Sequence, residues 1–196
     1  MTWHGNIGAA IAGLIGFRLA WGVVGSHHAR FATFVRGPSH VLTYLRGQWR
    51  GLGHNPLGAL SVLTMLAMLL AQIVSGLLSD DDIAFRGPYH IFVDSASASL
   101  AIFLHKRLVW VLGALILLHL AAIVCYTLLK GDNLVKPMIT GTKEIPPTAE
   151  APEQLGGGTR ALLLALAFAG LFTWTALGGP VDYLAPPPAA TATPDW

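Results

Sequence analysis

Four long runs of apolar residues, separated by polar and basic segments, dominate the chain. They extend over Gly5 to Val24, Leu57 to Leu78, Leu108 to Leu129, and Ala161 to Leu177. A helix needs roughly 17–25 residues to cross the ~30 Å hydrocarbon core of a bilayer, and the fourth run, near the lower limit, contains no charged residue. The pattern therefore predicts an all-α integral membrane protein, a bundle of four transmembrane helices.

The composition agrees with this prediction and removes several other classes of protein. Of the 196 residues, 54% are hydrophobic, and the mean hydropathy is +0.59. Only 11% are charged, compared with about 25% in a soluble domain. The single cysteine, Cys125, lies in a predicted span, so the sequence predicts no disulfide framework and no cysteine-based metal site. A net charge of +2 without a tract rich in Lys and Arg gives no indication of nucleic-acid binding.

The segments between the spans predict the organisation of the chain. Residues 1–143 form one membrane domain with three spans, and 161–178 form an additional transmembrane helix. Residues 144–160 are rich in Pro, Ala, Glu and Gly, and predict a flexible linker that detaches the fourth span from the rest. The tail, 179–196, contains three consecutive prolines and is expected to be extended or disordered.

The charges of the loops predict an orientation. The first and third loops are basic, the second loop is acidic, and the tail contains no Lys or Arg. The residues concerned are Arg30, Arg36, Arg46, Arg50, Lys130, Lys136, Lys143 and Arg160 in the basic loops, and Asp80, Asp81, Asp82 and Asp94 in the acidic loop. Because basic loops remain in the cytoplasm, both termini are expected in the periplasm of a bacterial inner membrane.

Two histidines on the third span have a spacing that suggests cofactor binding. His105 and His119 are fourteen residues apart, so they face the same side of a helix within roughly 40° and differ in depth by ~21 Å. One imidazole then lies near each surface of the membrane. Imidazole is a common axial ligand of haem, and such sites form inside helical bundles, so the pair suggests two stacked haems.

A haem with two axial ligands requires a second histidine at each depth. His4 begins the first span at the depth of His105, which makes these two candidate ligands of one haem iron. The alternative is that each is an interfacial histidine reaching the headgroups. His119 has no evident partner. The histidines of the first loop are expected to be solvated or interfacial, and His54, in the GHNPLG turn before the second span, is the alternative ligand among them.

Arg18 repeats the same spacing on the first span, fourteen residues after His4. An arginine within a membrane span is costly and faces a partner, for which a haem propionate is one candidate. The alternative is that its guanidinium reaches the inner headgroups. Small residues at Gly5, Ala9, Ala12 and Gly16 lie on one face of this span and suit close packing against a helix or a macrocycle.

With these features the chain resembles a known family. The runs that carry the resemblance are HGNIGAAIAGLIGFRLAWGVVGSHHARFATFVRGP, GHNPLGALSVLTMLAMLLAQIVSGLLSDDD and HKRLVWVLGALILLHLAAIVCYTLLKGDNLVKPMITG. Between Trp3 and Lys143 the chain is similar to bacterial di-haem b-type cytochromes, namely the cytochrome b561-like proteins and the cytochrome b subunits of nickel–iron hydrogenases. The resemblance implies one or two b-type haems and His4 as the partner of His105.

The resemblance also exposes a difference. Family members begin with a further helix whose histidine faces the equivalent of His119, and this sequence begins at what resembles the family's second helix. We therefore expect that the start of the protein is absent, that another subunit supplies the helix, or that the inner haem is lost or has another ligand such as His54.

The function implied by the resemblance is electron transfer between the quinone pool and a redox partner. Quinone is thus a candidate ligand, and the expected partners are lipid and other subunits. The acidic residues of the loop Ser79 to Leu104 favour the docking of a basic partner such as a c-type cytochrome, and the alternative is that this loop only caps the bundle. The alternative interpretation is a haem-free membrane scaffold or transporter subunit that uses its intramembrane His and Arg.

Overall fold

The computed structural model describes residues 2–48, 55–81, 83, 85–130, 135–140 and 156–185, and these ranges contain helices and no strand. Most of the predicted linker and most of the predicted tail lie outside the described residues, as does His54. The helices are α1 (Thr2–Val24), α2 (Phe31–Phe34), α3 (Pro38–Leu45), α4 (Pro56–Leu78), α5 (Ser95–Lys130), α6 (Val135–Thr140), α7 (Thr159–Ala176) and α8 (Val181–Leu184). Single 3₁₀ turns lie at His27–Ala29 and His90–Phe92.

Helices α1, α4, α5 and α7 are long and apolar enough to cross a membrane, which confirms the predicted all-α membrane bundle. Three of the four begin and end within a few residues of the predicted spans. The start of α4 shows why: Pro56 occupies the first turn, where its missing N–H costs nothing, and the Asn55 side chain accepts a hydrogen bond from Gly58 N–H at 2.7 Å.

The third span differs most from the expectation, because α5 begins at Ser95 and not near Leu108. Asp94 caps the helix: its Oδ1 accepts a hydrogen bond from Ser97 N–H at 2.8 Å, and its Oδ2 accepts one from Ser97 Oγ at 3.3 Å. Hydropathy identifies the part of a helix that suits lipid, so it missed these first polar turns. The predicted external loop, Ser79 to Leu104, is correspondingly wrong at its end, since its last ten residues belong to α5.

The four long helices form two antiparallel pairs, α1 with α7 and α4 with α5. In the first pair, Gly16 of α1 lies against α7 so closely that a Cβ there would be 2.7 Å from Phe172 Cγ and 2.9 Å from Phe168 O. Glycine permits this approach because it has no side chain. The expectation of a fourth span detached from the rest was therefore wrong: α7 packs along α1.

The loop between α4 and α5 closes one end of the bundle. Tyr89 Oη donates a hydrogen bond to Thr175 O at 2.9 Å, which joins this loop to the end of α7. Burial raises the pKa of the Tyr89 phenol. Because α1 begins at this end, we call it the His4 end. At the opposite end, Asn55 Nδ2 donates to Tyr126 Oη at 3.2 Å and joins α4 to α5.

Candidate functional site

The structure brings His4 and His105 together at the His4 end of the bundle. Their ring centroids are 5.8 Å apart and their planes are inclined by 81°. Two imidazoles that share one metal ion have centroids roughly 6 Å apart, since each metal–nitrogen bond is about 2 Å. The two rings, from α1 and α5, therefore have the separation expected of two axial ligands.

The ring of His105 is held from α4. Its Nδ1 lies 2.8 Å from Gln72 O and 3.3 Å from Ser75 Oγ. A carbonyl oxygen can only accept a hydrogen bond, so Nδ1 of His105 is the protonated nitrogen. In the neutral ring Nε2 then carries the lone pair, which is the form that binds a metal ion.

Gln72 contacts the same residue a second time. Its Nε2 donates a hydrogen bond to the backbone oxygen of His105 at 3.1 Å. The other amide atom, Oε1, is buried and has no hydrogen-bond partner within the described part of the chain. Gln72 and His105 are thus joined reciprocally, through the side chain of each and the main chain of the other.

Gly76 provides the space for the His105 ring. A Cβ at this position would lie 2.9 Å from Cε1 and 3.1 Å from Nδ1 of His105. Carbon atoms do not approach this closely without displacement, so any side chain here would push the imidazole away. The helix α4 therefore supplies both the acceptor for the ring and the gap in which the ring lies.

These residues fit a b-type haem with two histidine ligands. The donors are two imidazoles from different helices, and one of them has its protonation fixed by a carbonyl. Across the described ranges, no group of three or more His, Cys, Asp or Glu could hold a bare metal ion. A haem iron needs only two ligands from the protein because its porphyrin supplies the others.

His119 lies fourteen residues after His105 along α5, and its surroundings differ. Its Nδ1 is 3.2 Å from Ser61 Oγ on α4, and the ring is half-buried. No histidine of the described ranges makes a ring contact with His119. Both histidines of α5 thus contact α4, and His54, one of the alternatives for the ligand opposite His119, lies outside the described residues.

Arg18 has contacts within its own chain. Its Nη1 donates a hydrogen bond to Ala29 O at 3.0 Å, and its guanidinium carbon is 5.0 Å from the centroid of the Phe31 ring and 5.9 Å from that of Phe34. These contacts provide partners for an intramembrane cation. The hydrogen bond uses one of the five N–H donors of the guanidinium, which leaves four for a propionate. The contact between Arg18 and a propionate stays a prediction.

The contribution of α4 to the site was not expected from the sequence. Ser61, Gln72 and Ser75 are polar residues within a long apolar helix, and polar residues in a membrane span face a partner. Ser61 and Ser75 are also fourteen residues apart, as His105 and His119 are. That repeated spacing was a usable signal in the sequence.

A helical membrane bundle in which the imidazoles of two helices lie 5.8 Å apart fits the class of membrane b-type cytochromes. The family model described as prokaryotic cytochrome b561 matches residues 1–141, and the chain belongs to this family. Helix α7 lies beyond the matched residues. No curated protein and no solved structure matches the chain. The protein is thus a multi-pass membrane b-type cytochrome in electron transfer, and its family implies b-type haem and partner subunits.

Proposed function

We propose that the protein passes single electrons between the quinone pool and a redox partner, with His4 and His105 as the axial ligands of one haem b. The observation that carries this proposal is the 5.8 Å separation of the two rings, together with the bond from His105 Nδ1 to Gln72 O. The family match supports the electron-transfer function independently.

The chain's own contribution is to hold two imidazoles from different helices at a fixed separation. The haem iron, when bound, supplies the one-electron change. His105 presents its Nε2 lone pair because Nδ1 is held as a donor.

We propose that His119 is an axial ligand of a second haem, with a propionate of this haem bound by Arg18. The half-buried ring in contact with Ser61 of α4 supports the first part, and the four remaining donors of Arg18 support the second. The opposite ligand is then His54 or a histidine supplied by a helix of another subunit.

The partner and the orientation form a further part of the proposal. Both termini lie on the periplasmic side of the inner membrane. A basic soluble protein such as a c-type cytochrome docks on the loop Ser79 to Asp94. The loop lies beside His4, whose ring is 6.2 Å from that of Phe85. Its carboxylates also build the loop, since Asp80 pairs with Arg86 at 3.2 Å and Asp81 Oδ1 accepts a hydrogen bond from Phe85 N–H at 2.8 Å.

A visible spectrum of the purified, reduced protein tests the proposed function. We expect the Soret and α bands of b-type haem, and a pyridine haemochrome assay should give one or two haems per chain. The absence of these bands would support the alternative, a haem-free scaffold or transporter subunit.

Substitution of the proposed ligands tests the site. H105A should remove one low-spin haem signal while the chain still inserts into the membrane, and H4A should do the same. H28A is the matched control, because His28 lies in the 3₁₀ turn beyond the opposite end of α1 and contacts His27. Full retention of the low-spin signal in both H4A and H105A would refute this pairing.

A further inference from the structure

We propose that Gln72 is a positioning residue that fixes the orientation and the electron-donating strength of the His105 imidazole. The proposal rests on the proposed function, because it requires His105 to be an axial ligand. It adds a residue of α4 that does not itself contact the iron, and through which α4 tunes the haem at the His4 end.

The geometry at Gln72 goes beyond ordinary helix packing. The side-chain amide of Gln72 donates to the backbone oxygen of His105 at 3.1 Å, and the backbone oxygen of Gln72 accepts from His105 Nδ1 at 2.8 Å. Each bond therefore keeps the other short, since both join the same two residues. Loss of the amide would allow α4 and α5 to separate locally and would lengthen the bond to Nδ1.

The contact satisfies the donor side of a glutamine within an apolar span. An amide within a membrane is costly unless it is hydrogen-bonded, and here Nε2 is bonded to a backbone oxygen, whereas the buried Oε1 has no partner among the described residues. Ser75 adds to the network, because its Oγ donates to Gln72 O at 3.0 Å and lies 3.3 Å from His105 Nδ1. The backbone carbonyl oxygen of Gln72 thus accepts hydrogen bonds from both Ser75 Oγ and His105 Nδ1.

The hydrogen bond at Nδ1 changes the chemistry of Nε2. When an acceptor such as a carbonyl oxygen binds the Nδ1 proton of a metal-bound histidine, Nε2 becomes a more basic ligand. A more basic axial ligand stabilises oxidised iron relative to reduced iron. Weakening the bond should therefore shift the haem toward the reduced state at any fixed ambient potential.

The test is a redox titration of the whole, haem-loaded protein carrying Q72M. Methionine has a similar volume and length but cannot donate a hydrogen bond. We expect the ratio of reduced to oxidised haem to rise several-fold at fixed potential, with changed electron paramagnetic resonance g-values, for the haem that H105A removes. V74M is the matched control on α4, because Val74 is 51% exposed.

S61A provides a second comparison, because it removes a hydrogen bond to the other histidine of α5. It should leave the haem of His4 and His105 unchanged. An unchanged ratio and unchanged g-values in Q72M, or an equal shift of that haem in S61A or V74M, would overturn the proposal. Absence of haem from the unsubstituted protein would instead refute the proposed function.

A measurement on the unsubstituted protein covers the case in which Q72M does not accumulate. In oxidised protein labelled with ¹⁵N-histidine, pulsed electron–nuclear resonance detects the Nδ1 proton of each axial ligand. We expect one strongly hydrogen-bonded proton that exchanges slowly with deuterated water. Weakly bonded, rapidly exchanging Nδ1 protons on both ligands of this haem would contradict a positioning role of Gln72.

Discussion

The two helix pairs of this bundle are held together by different means. Helices α4 and α5 are joined by hydrogen bonds that involve both histidines of α5, at Gln72 and Ser61. Helices α1 and α7 meet instead through close packing at glycine, as at Gly16. Hydrogen bonds have preferred directions and therefore fix the rotation of a ring. Close packing has little directionality, so in α1 and α7 it fixes mainly the distance between helices.

The difference assigns a separate role to each pair. The α4–α5 pair orients the His105 imidazole, and the α1–α7 pair sets the position of the helix that carries His4. A ligand site between them depends on both, since the 5.8 Å separation joins a residue of each pair. Substitutions in the two interfaces should therefore have different spectroscopic results.

The largest effect is expected at Gly76. G76V should displace the His105 ring, because even a Cβ would lie 2.9 Å from Cε1, and overpacking of this kind costs about 1–3 kcal/mol. The low-spin haem signal that depends on His105 should be lost, as measured by electron paramagnetic resonance of the purified protein. G113V is the control, because a Cβ at Gly113 has no atom within 4 Å; equal loss in both variants would contradict the assigned role of Gly76.

The next effect is expected at the α1–α7 interface. G16L should force α7 away from α1 and lower the thermal stability of the purified protein, because Phe172 and the backbone of Phe168 leave no room for a side chain. G8L, on the same helix but with open space at its Cβ, should have little effect. If G16L is as stable as G8L, α7 does not pack on α1 as described.

A smaller effect is expected at Ser75. S75A removes a buried hydroxyl that donates to Gln72 O, and loss of such a bond destabilises a protein by about 1 kcal/mol. The bond from His105 Nδ1 to the same carbonyl remains, so the haem should shift less in a redox titration than it does in Q72M. A shift in S75A larger than that in Q72M would indicate that Ser75, and not Gln72, controls the ring.

The smallest effect is expected at the cap of α5. Hydrogen bonding from Ser97 N–H lowers the pKa of the Asp94 carboxyl. A lowered folded-state pKa means that this stabilisation is present above the unfolded-state pKa of about 3.9 and is lost as the pH falls through the folded value. D94N also caps a helix but does not titrate, so the wild type should lose thermal stability relative to D94N below about pH 4. Parallel curves for the two proteins between pH 6 and pH 3 would contradict the cap.

Much of the fold could be predicted from the sequence, because transfer of a segment into lipid depends mainly on the side chains of that segment. Hydropathy located the four spans, and the helical repeat placed His105 and His119 on one side of a single helix, which α5 confirms. The start of α5 could not be found in this way. Ser95 begins a polar stretch, and the bond from Ser97 to Asp94 is a local signal that hydropathy does not measure.

The sequence by itself determined the class of protein, the number of spans, the spacing of the histidines and the family. Only the tertiary structure decided that α7 packs on α1, that the rings of His4 and His105 meet, and that Gln72 and Ser61 contact the two histidines of α5. The physical reason is that these facts depend on contacts between helices. A span is stable in lipid whichever neighbour it has, so its own composition does not specify the partner; hydrogen bonds and glycine packing do.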